Sequence, residues 1–146
     1  MPKFGNQSRE RLHSLKNVLL IALFEEVVKE VDCKVVSGLR STVEQQLLFA
    51  QGRTMPGKIV TNCDGIVKKS NHQADDFGIG HGVDVVPYPI DWNDRMRFYH
   101  FIGFVRGVAW KMGIEVVSGS DWDSDYVLND QDFYDVPHWQ TNDSKW

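Results

Sequence analysis

No stretch of this chain is apolar for long enough to cross a membrane. The longest apolar run, Val18 to Phe24, has seven residues, where a spanning helix needs ~20. It does not suit a signal peptide either. It lies inside an amphipathic pattern, is followed by Glu25-Glu26 and has no small-residue cleavage site. The expectation is a chain made in the cytoplasm, with no membrane insertion. Cysteine is equally scarce. Cys33 and Cys63 are too few for a disulfide framework and form no Cys-x-x-Cys pair, so both are expected as reduced, packed thiols. An excess of positive charge is also missing. The formal net charge of −4 speaks against a general nucleic-acid binder. Gly52 to Ile59 comes close to a phosphate-binding loop, but Ile59 follows Lys58 where a Ser or Thr would be needed to hold magnesium.

What is present is the balance of an ordinary globular protein, 42% hydrophobic and 25% charged over 146 residues. That length favours one domain, 1–146, with a core of its own and no separate wall-binding module. Leu12, Leu15, Leu19, Leu23 and Val27 recur at helical spacing and predict one helix over Ser8–Val31, with Ser8 as its N-cap. Cys33 to Ser37 is a β-branched run stopped by Gly38. Thr42 to Gln51 predicts a second helix ending at Gly52. Residues 53–81 carry few periodic apolars and predict a long loop, a kind of segment that more often serves function than not. Strands are expected at Gly82–Val86, Glu115–Ser118 and Val136–Gln140, and a long helix at Asp94–Met112. The sum is an α+β domain with a small antiparallel sheet and packed helices.

Of the five histidines, His13 and His100 fall in helical patterns. The other three lie in Ser70-Asn71-His72, Gly80-His81-Gly82-Val83-Asp84 and Asp135-Val136-Pro137-His138. A catalytic zinc site generally takes three nitrogen or oxygen ligands and leaves one position open. The His-Glu-x-x-His helix motif is missing. Two histidines and one carboxylate from these loop and strand positions can still make such a site.

These three segments, in this order, resemble the D-Ala-D-Ala carboxypeptidase/L-alanyl-D-glutamate endopeptidase family of zinc peptidases, in its phage endolysin branch. Val35-Val36-Ser37-Gly38-Leu39-Arg40-Ser41, Gln45, Gln51-Gly52-Arg53-Thr54 with Pro56-Gly57, and the opening Phe4-Gly5 with Ser8 fit the same branch. The resemblance covers nearly the whole chain and implies the Hedgehog/DD-peptidase-like fold. It implies a zinc ion on His72, Asp84 and His138, with Asp135 as the general base. Arg40 is implied to stabilise the oxyanion or hold a substrate carboxylate, and Ser70 to bind substrate or steady the loop. Zinc in such a site lowers the pKa of its water to ~7 and polarises the scissile carbonyl. Two departures stand out. Gly82 replaces the family's alanine, and His72 lies twelve residues before Asp84, a spacing lengthened by an insertion at Gln73–Phe77. The longer spacing leaves His81 as an alternative ligand. The Ser-x-His setting favours His72, and His81, three residues before Asp84, would tend to face the other side of a strand.

One acidic segment stands apart. Asp121, Asp123 and Asp125 occupy positions 1, 3 and 5 of a calcium loop and Asp132 position 12, but Tyr126 replaces the turn glycine. A solvated acidic loop and a Ca²⁺ site that orders Asp135 are both open. The activity implied by the resemblance is cleavage of the peptidoglycan stem peptide, at the L-alanyl-D-glutamate bond, by a monomeric phage endolysin. Such an enzyme would collect in the host cytoplasm and reach the wall after a separate protein permeabilises the membrane. The alternatives are a D-Ala-D-Ala carboxypeptidase or dipeptidase, and a non-catalytic wall-binding module of the same fold.

Overall fold

The computed structural model describes residues 1–141; residues 142–146 of the expected domain lie outside them. In chain order the elements are α1 (Asn6–Ser14), α2 (Val18–Glu30), β1 (Cys33–Ser37), α3 (Thr42–Ala50), β2 (Gly82–Pro87), α4 (Arg95–Met112), β3 (Val116–Ser118) and β4 (His138–Thr141). No helix among these residues is long and apolar enough to cross a membrane.

The four strands form one antiparallel sheet in the order β1-β2-β4-β3, as the sequence predicts. Alternation along the strands divides labour between its two faces. Val83 and Val85 of β2 and Trp139 of β4 enter the core, where they join Leu20, Leu23, Phe24 and Val27 of α2 and Phe101, Ile102 and Val105 of α4. The Trp139 ring meets Phe24 edge-on, with centroids 6.1 Å apart. Asp84 and His138 alternate with these residues, so the same packing turns them to the opposite face.

The single helix expected over Ser8–Val31 is in fact two. Lys16 adopts a left-handed φ of 53°. The Asn17 side chain then caps α2, accepting a hydrogen bond from the Leu20 N–H at 3.2 Å. The break rotates the apolar stripe. Leu12 and Leu15 are buried, but Leu20 takes the core place expected for Leu19, which is exposed. Ser8 lies inside α1, and Gly5 is at its N-cap; the buried Ser8 hydroxyl instead accepts from the Val35 N–H of β1. The two shorter expectations hold better. Ser41 caps α3 by accepting from Glu44 N–H, and Asp94 caps α4 by accepting from Arg97 N–H.

Between α3 and β2 the chain makes a long excursion with no helix or strand. It is closed at a neck, where the Asn71 carbonyl accepts from both His81 N–H (2.9 Å) and Gly82 N–H (2.7 Å). Asn17 braces this end of the excursion as well, its Nδ2 donating to the Gly80 carbonyl at 3.1 Å and to Thr141 Oγ1 at 3.4 Å. Cys33 is buried, and burial followed by the nearby Asp32 charge pushes its thiol up to about 12. Cys63 is half-buried, and neither cysteine is disulfide-bonded.

Asn17 therefore supports a helix start and a loop closure at once. Asn17→Ala is expected to cost about 2 kcal/mol, from a lost cap and two buried acceptors left short. Thermal unfolding checks this: Asn17→Asp, which keeps the cap acceptor but not the Nδ2 donors, should fall between wild type and Asn17→Ala.

Candidate metal and catalytic site

The sheet register brings two of the candidate ligands together directly. Asp84 of β2 and His138 of β4 are cross-strand partners. His72 arrives from the excursion, and its carbonyl accepts from Arg40 N–H at 2.8 Å. His72 Nε2, His138 Nδ1 and Asp84 Oδ1 then form a nearly equilateral triangle. Its edges are 3.2 Å between the two nitrogens and 3.3 Å from each nitrogen to the oxygen. An ion ~2.0–2.1 Å from three tetrahedrally disposed ligands spaces them about 3.3–3.4 Å apart, so the triangle has the size that zinc requires.

The second nitrogen of each ring is anchored. His72 Nδ1 faces the Gly38 carbonyl at 3.0 Å, and His138 Nε2 faces Gln140 Oε1 at 2.9 Å. A proton on each anchored nitrogen donates to oxygen and leaves the inward nitrogen bare, the usual arrangement around a metal-binding histidine. Three lone-pair atoms so close together, with both rings buried, call for a cation between them. Burial alone would raise the Asp84 carboxyl, but His72 and His138 outweigh it and hold the group well below the usual carboxylate range.

Glycine at position 38 has a steric reason. A Cβ there would lie 2.1 Å from the Arg11 carbonyl oxygen, so a side chain would displace the carbonyl that orients His72. Gly119 is constrained in the same way by Asp135, whose carbonyl oxygen would lie 2.1 Å from an added Cβ. The two residues are bonded as well, Asp135 N–H to the Gly119 carbonyl at 2.8 Å. Asp135 is thereby held with Oδ2 4.0 Å from His138 Nδ1. Burial, then the Asp84 charge, push its carboxyl up against the pull of His138, His72 and Arg40. A carboxylate beside the ligand triangle, raised above its ordinary range, is suited to taking and returning a proton.

Arg40 is tied to the site through its own hydrogen bonds. Nη1 donates to Gln45 Oε1 at 3.0 Å and Nη2 to Ser37 Oγ at 3.3 Å, and Nη2 lies 3.7 Å from Asp84 Oδ2. Ser70 is buried, and its hydroxyl accepts from His72 N–H at 3.2 Å. His81 is not part of the triangle. Its Nε2 meets Asp75 Oδ2 at 2.8 Å and its Nδ1 meets Thr141 Oγ1 at 3.0 Å. That clamp ties the inserted loop to β4. Around the triangle opens a cleft of about 410 Å³ lined by Arg40, Ser70, Trp122, Phe133, Asp135 and residues of the 59–72 segment. Trp122 leans over the His138 ring, with centroids 5.5 Å apart.

Three supporting residues had no assigned role in the sequence. Gln140 is two residues from His138 on a strand and so shares its face, a signal that alternation supplies once the strand is known. Gln45 is fully buried and holds Arg40. Trp122 was hidden among the aspartates around it. Of those aspartates, Asp121, Asp123 and Asp125 bring carboxylate oxygens within 4.8 Å of one another, and Asp132 is not in that group. Asp121 is buried, with Oδ2 2.7 Å from Arg106 Nη2 and accepting from Tyr126 N–H.

A family model described as phage L-alanyl-D-glutamate peptidase matches residues 1–141. Among solved structures, that of Serratia marcescens L-Ala D-Glu endopeptidase ChiX is similar, with a TM-score of 0.63 and 24% identity over 95% of this chain and 89% of that one. At this identity the likeness concerns the fold, an α+β domain with a small antiparallel sheet.

The geometry separates the two histidines on either side of the insertion. His72→Ala should lower bound zinc at least tenfold, on the scale of losing a metal ligand or its support. His81→Ala should leave zinc content near wild type while lowering the melting temperature. Metal analysis of the purified variants checks both; the reverse pattern would exchange their roles.

Proposed function

Since the chain belongs to the phage L-alanyl-D-glutamate peptidase family, we propose that His72, Asp84 and His138 hold a catalytic zinc ion with which Asp135 hydrolyses the L-alanyl-D-glutamate bond of the peptidoglycan stem peptide. That the chain is a peptidoglycan-cleaving peptidase follows from the family; the ion, the bond and the residue roles are the proposal. The observation that carries it is the triangle of inward ligand atoms, 3.2 to 3.3 Å on a side, with a carboxylate beside it at the edge of an open cleft.

Zinc, when bound, supplies Lewis acidity to a carbonyl and makes water a better nucleophile at neutral pH. The protein's own groups do the rest. Asp135 takes the proton of the attacking water and delivers it to the leaving amine. Arg40, fixed by Gln45 and Ser37, presents positive charge beside Asp84 and favours negative charge developing on the substrate carbonyl oxygen. Trp122 and Phe133 add apolar surface to the cleft wall, against which the uncharged parts of a peptide can pack. Ser70 acts through His72, by fixing the backbone of the loop that carries it.

The acidic loop supports a smaller version of the calcium reading: Asp121, Asp123 and Asp125 as ligands, without Asp132. Ca²⁺ there would brace the segment leading to Asp135, in competition with Arg106 for Asp121. Release into the wall would depend on a separate membrane-permeabilising protein.

Asp135→Ala is expected to keep zinc and fold but lose hydrolysis by about 10²-fold or more; near-normal turnover in a zinc-replete variant would remove Asp135 from its role. Mass spectrometry of muropeptides released from purified sacculi identifies the bond, with new amino termini on D-glutamate expected and released D-alanine pointing to the carboxypeptidase alternative. For the acidic loop, Ca²⁺ should raise the melting temperature of the zinc-loaded wild type but not of Asp123→Asn/Asp125→Asn. Equal responses would dismiss calcium.

A further inference from the structure

The cleft carries a charge pattern that hydrolysis alone does not require. The chain is net negative, at −4. Yet beyond the ligands and Arg40, the charged residues on the cleft walls are Lys68, Lys69 and Asp135, among the described residues. Two lysines therefore border a cleft whose walls, among the described residues, carry one carboxylate, that of Asp135.

The loop that bears them is built to hold still. Asp64 Oδ1 accepts from the N–H groups of Ile66, Val67 and Lys68 at 2.8 to 3.0 Å. Gly65 N–H donates back to the Lys68 carbonyl at 3.1 Å. Two buried glutamines fasten this turn to the body of the protein. Gln73 Nε2 donates to the Gly65 carbonyl, and its Oε1 accepts from Ser70 N–H. Gln45 Nε2 donates to the Cys63 carbonyl and to Thr61 Oγ1, while its Oε1 holds Arg40. Gly65, at φ 85°, packs so closely on Gln45 that a Cβ would lie 3.1 Å from Gln45 Cγ. One side chain, Gln45, thus sets the distance between the guanidinium at Asp84 and the lysine turn.

A glutamyl residue has two carboxyl groups and spends one on the chain that continues from it. The other stays free, a few bonds from the nitrogen that leaves when the L-Ala–D-Glu bond is cut. A free carboxylate there needs a cation, and Arg40 is already committed to Gln45, Ser37 and Asp84. We propose that Lys68 binds this free carboxylate and makes the 61–70 turn the specificity-determining wall of the cleft. This rests on the peptidase reading above and adds the group that selects the substrate.

The test uses the zinc-loaded full chain and two synthetic stem peptides. One carries the free glutamyl carboxylate; the other has a carboxamide in its place. Wild type should favour the acid, and Lys68→Gln should reduce the acid-over-amide ratio of kcat/KM about tenfold, mostly through KM, the scale of one charge-assisted hydrogen bond at a partly exposed site. Lys68→Arg should restore the preference. A Lys68→Gln variant that keeps the wild-type ratio, or that slows both peptides equally, overturns the proposal, as does a wild type without preference. A wild type that cleaves neither peptide overturns the peptidase reading itself, a result distinct from the others.

Discussion

The position of Trp139 on β4 governs the site. Its indole fills the core against Phe24, so β4 cannot slip by one residue without moving a large aromatic ring to the opposite face. With that register fixed, His138 stands opposite Asp84, and two vertices of the ligand triangle become a cross-strand pair. The third vertex costs little more, because Arg40 N–H and the Gly38 carbonyl receive His72 at the end of β1. Core packing on one face of the sheet thereby positions polar chemistry on the other.

Much of the fold was legible because its signals are local. Five strand residues at Cys33–Ser37 and the long α4 follow from β-branching and helical periodicity. The α1–α2 break was not, since the leucine spacing is compatible with a continuous helix and only a left-handed Lys16 and a capping Asn17 interrupt it. At the site, the residue types allowed a ligand set of two histidines and a carboxylate, and the family resemblance singled out His72, Asp84, His138 and Asp135 as the candidates. What stayed hidden were groups acting through space on those residues. The Gly38 carbonyl and Gln140 select ring nitrogens, and Gln45 holds Arg40 from a helix; none has a chemical signature along the chain that declares the contact.

The acidic segment illustrates how spacing can mislead. Positions 1, 3 and 5 of a calcium loop do converge, but position 12 does not. Arg106 reaches Asp121 from α4 and stacks over Tyr126 with its guanidinium carbon 4.0 Å from the ring centroid. A linear motif contains no information about a cation supplied by another helix, which can take over part of the work a metal would do.

The closed neck at Asn71 has a consequence for how this protein can vary. Because one carbonyl clasps both His81 and Gly82, residues 73 to 80 leave and return at the same point, and the distance from His72 to Asp84 in space is independent of the number of residues between them. Changes of length at the outer tip of this excursion, beyond the ties made by Gln73 and Asp75, should therefore leave the candidate ligand set in place. Its outer tip, around the exposed Phe77, is accordingly a natural place to graft a tag, a fluorophore or a wall-targeting peptide onto the enzyme.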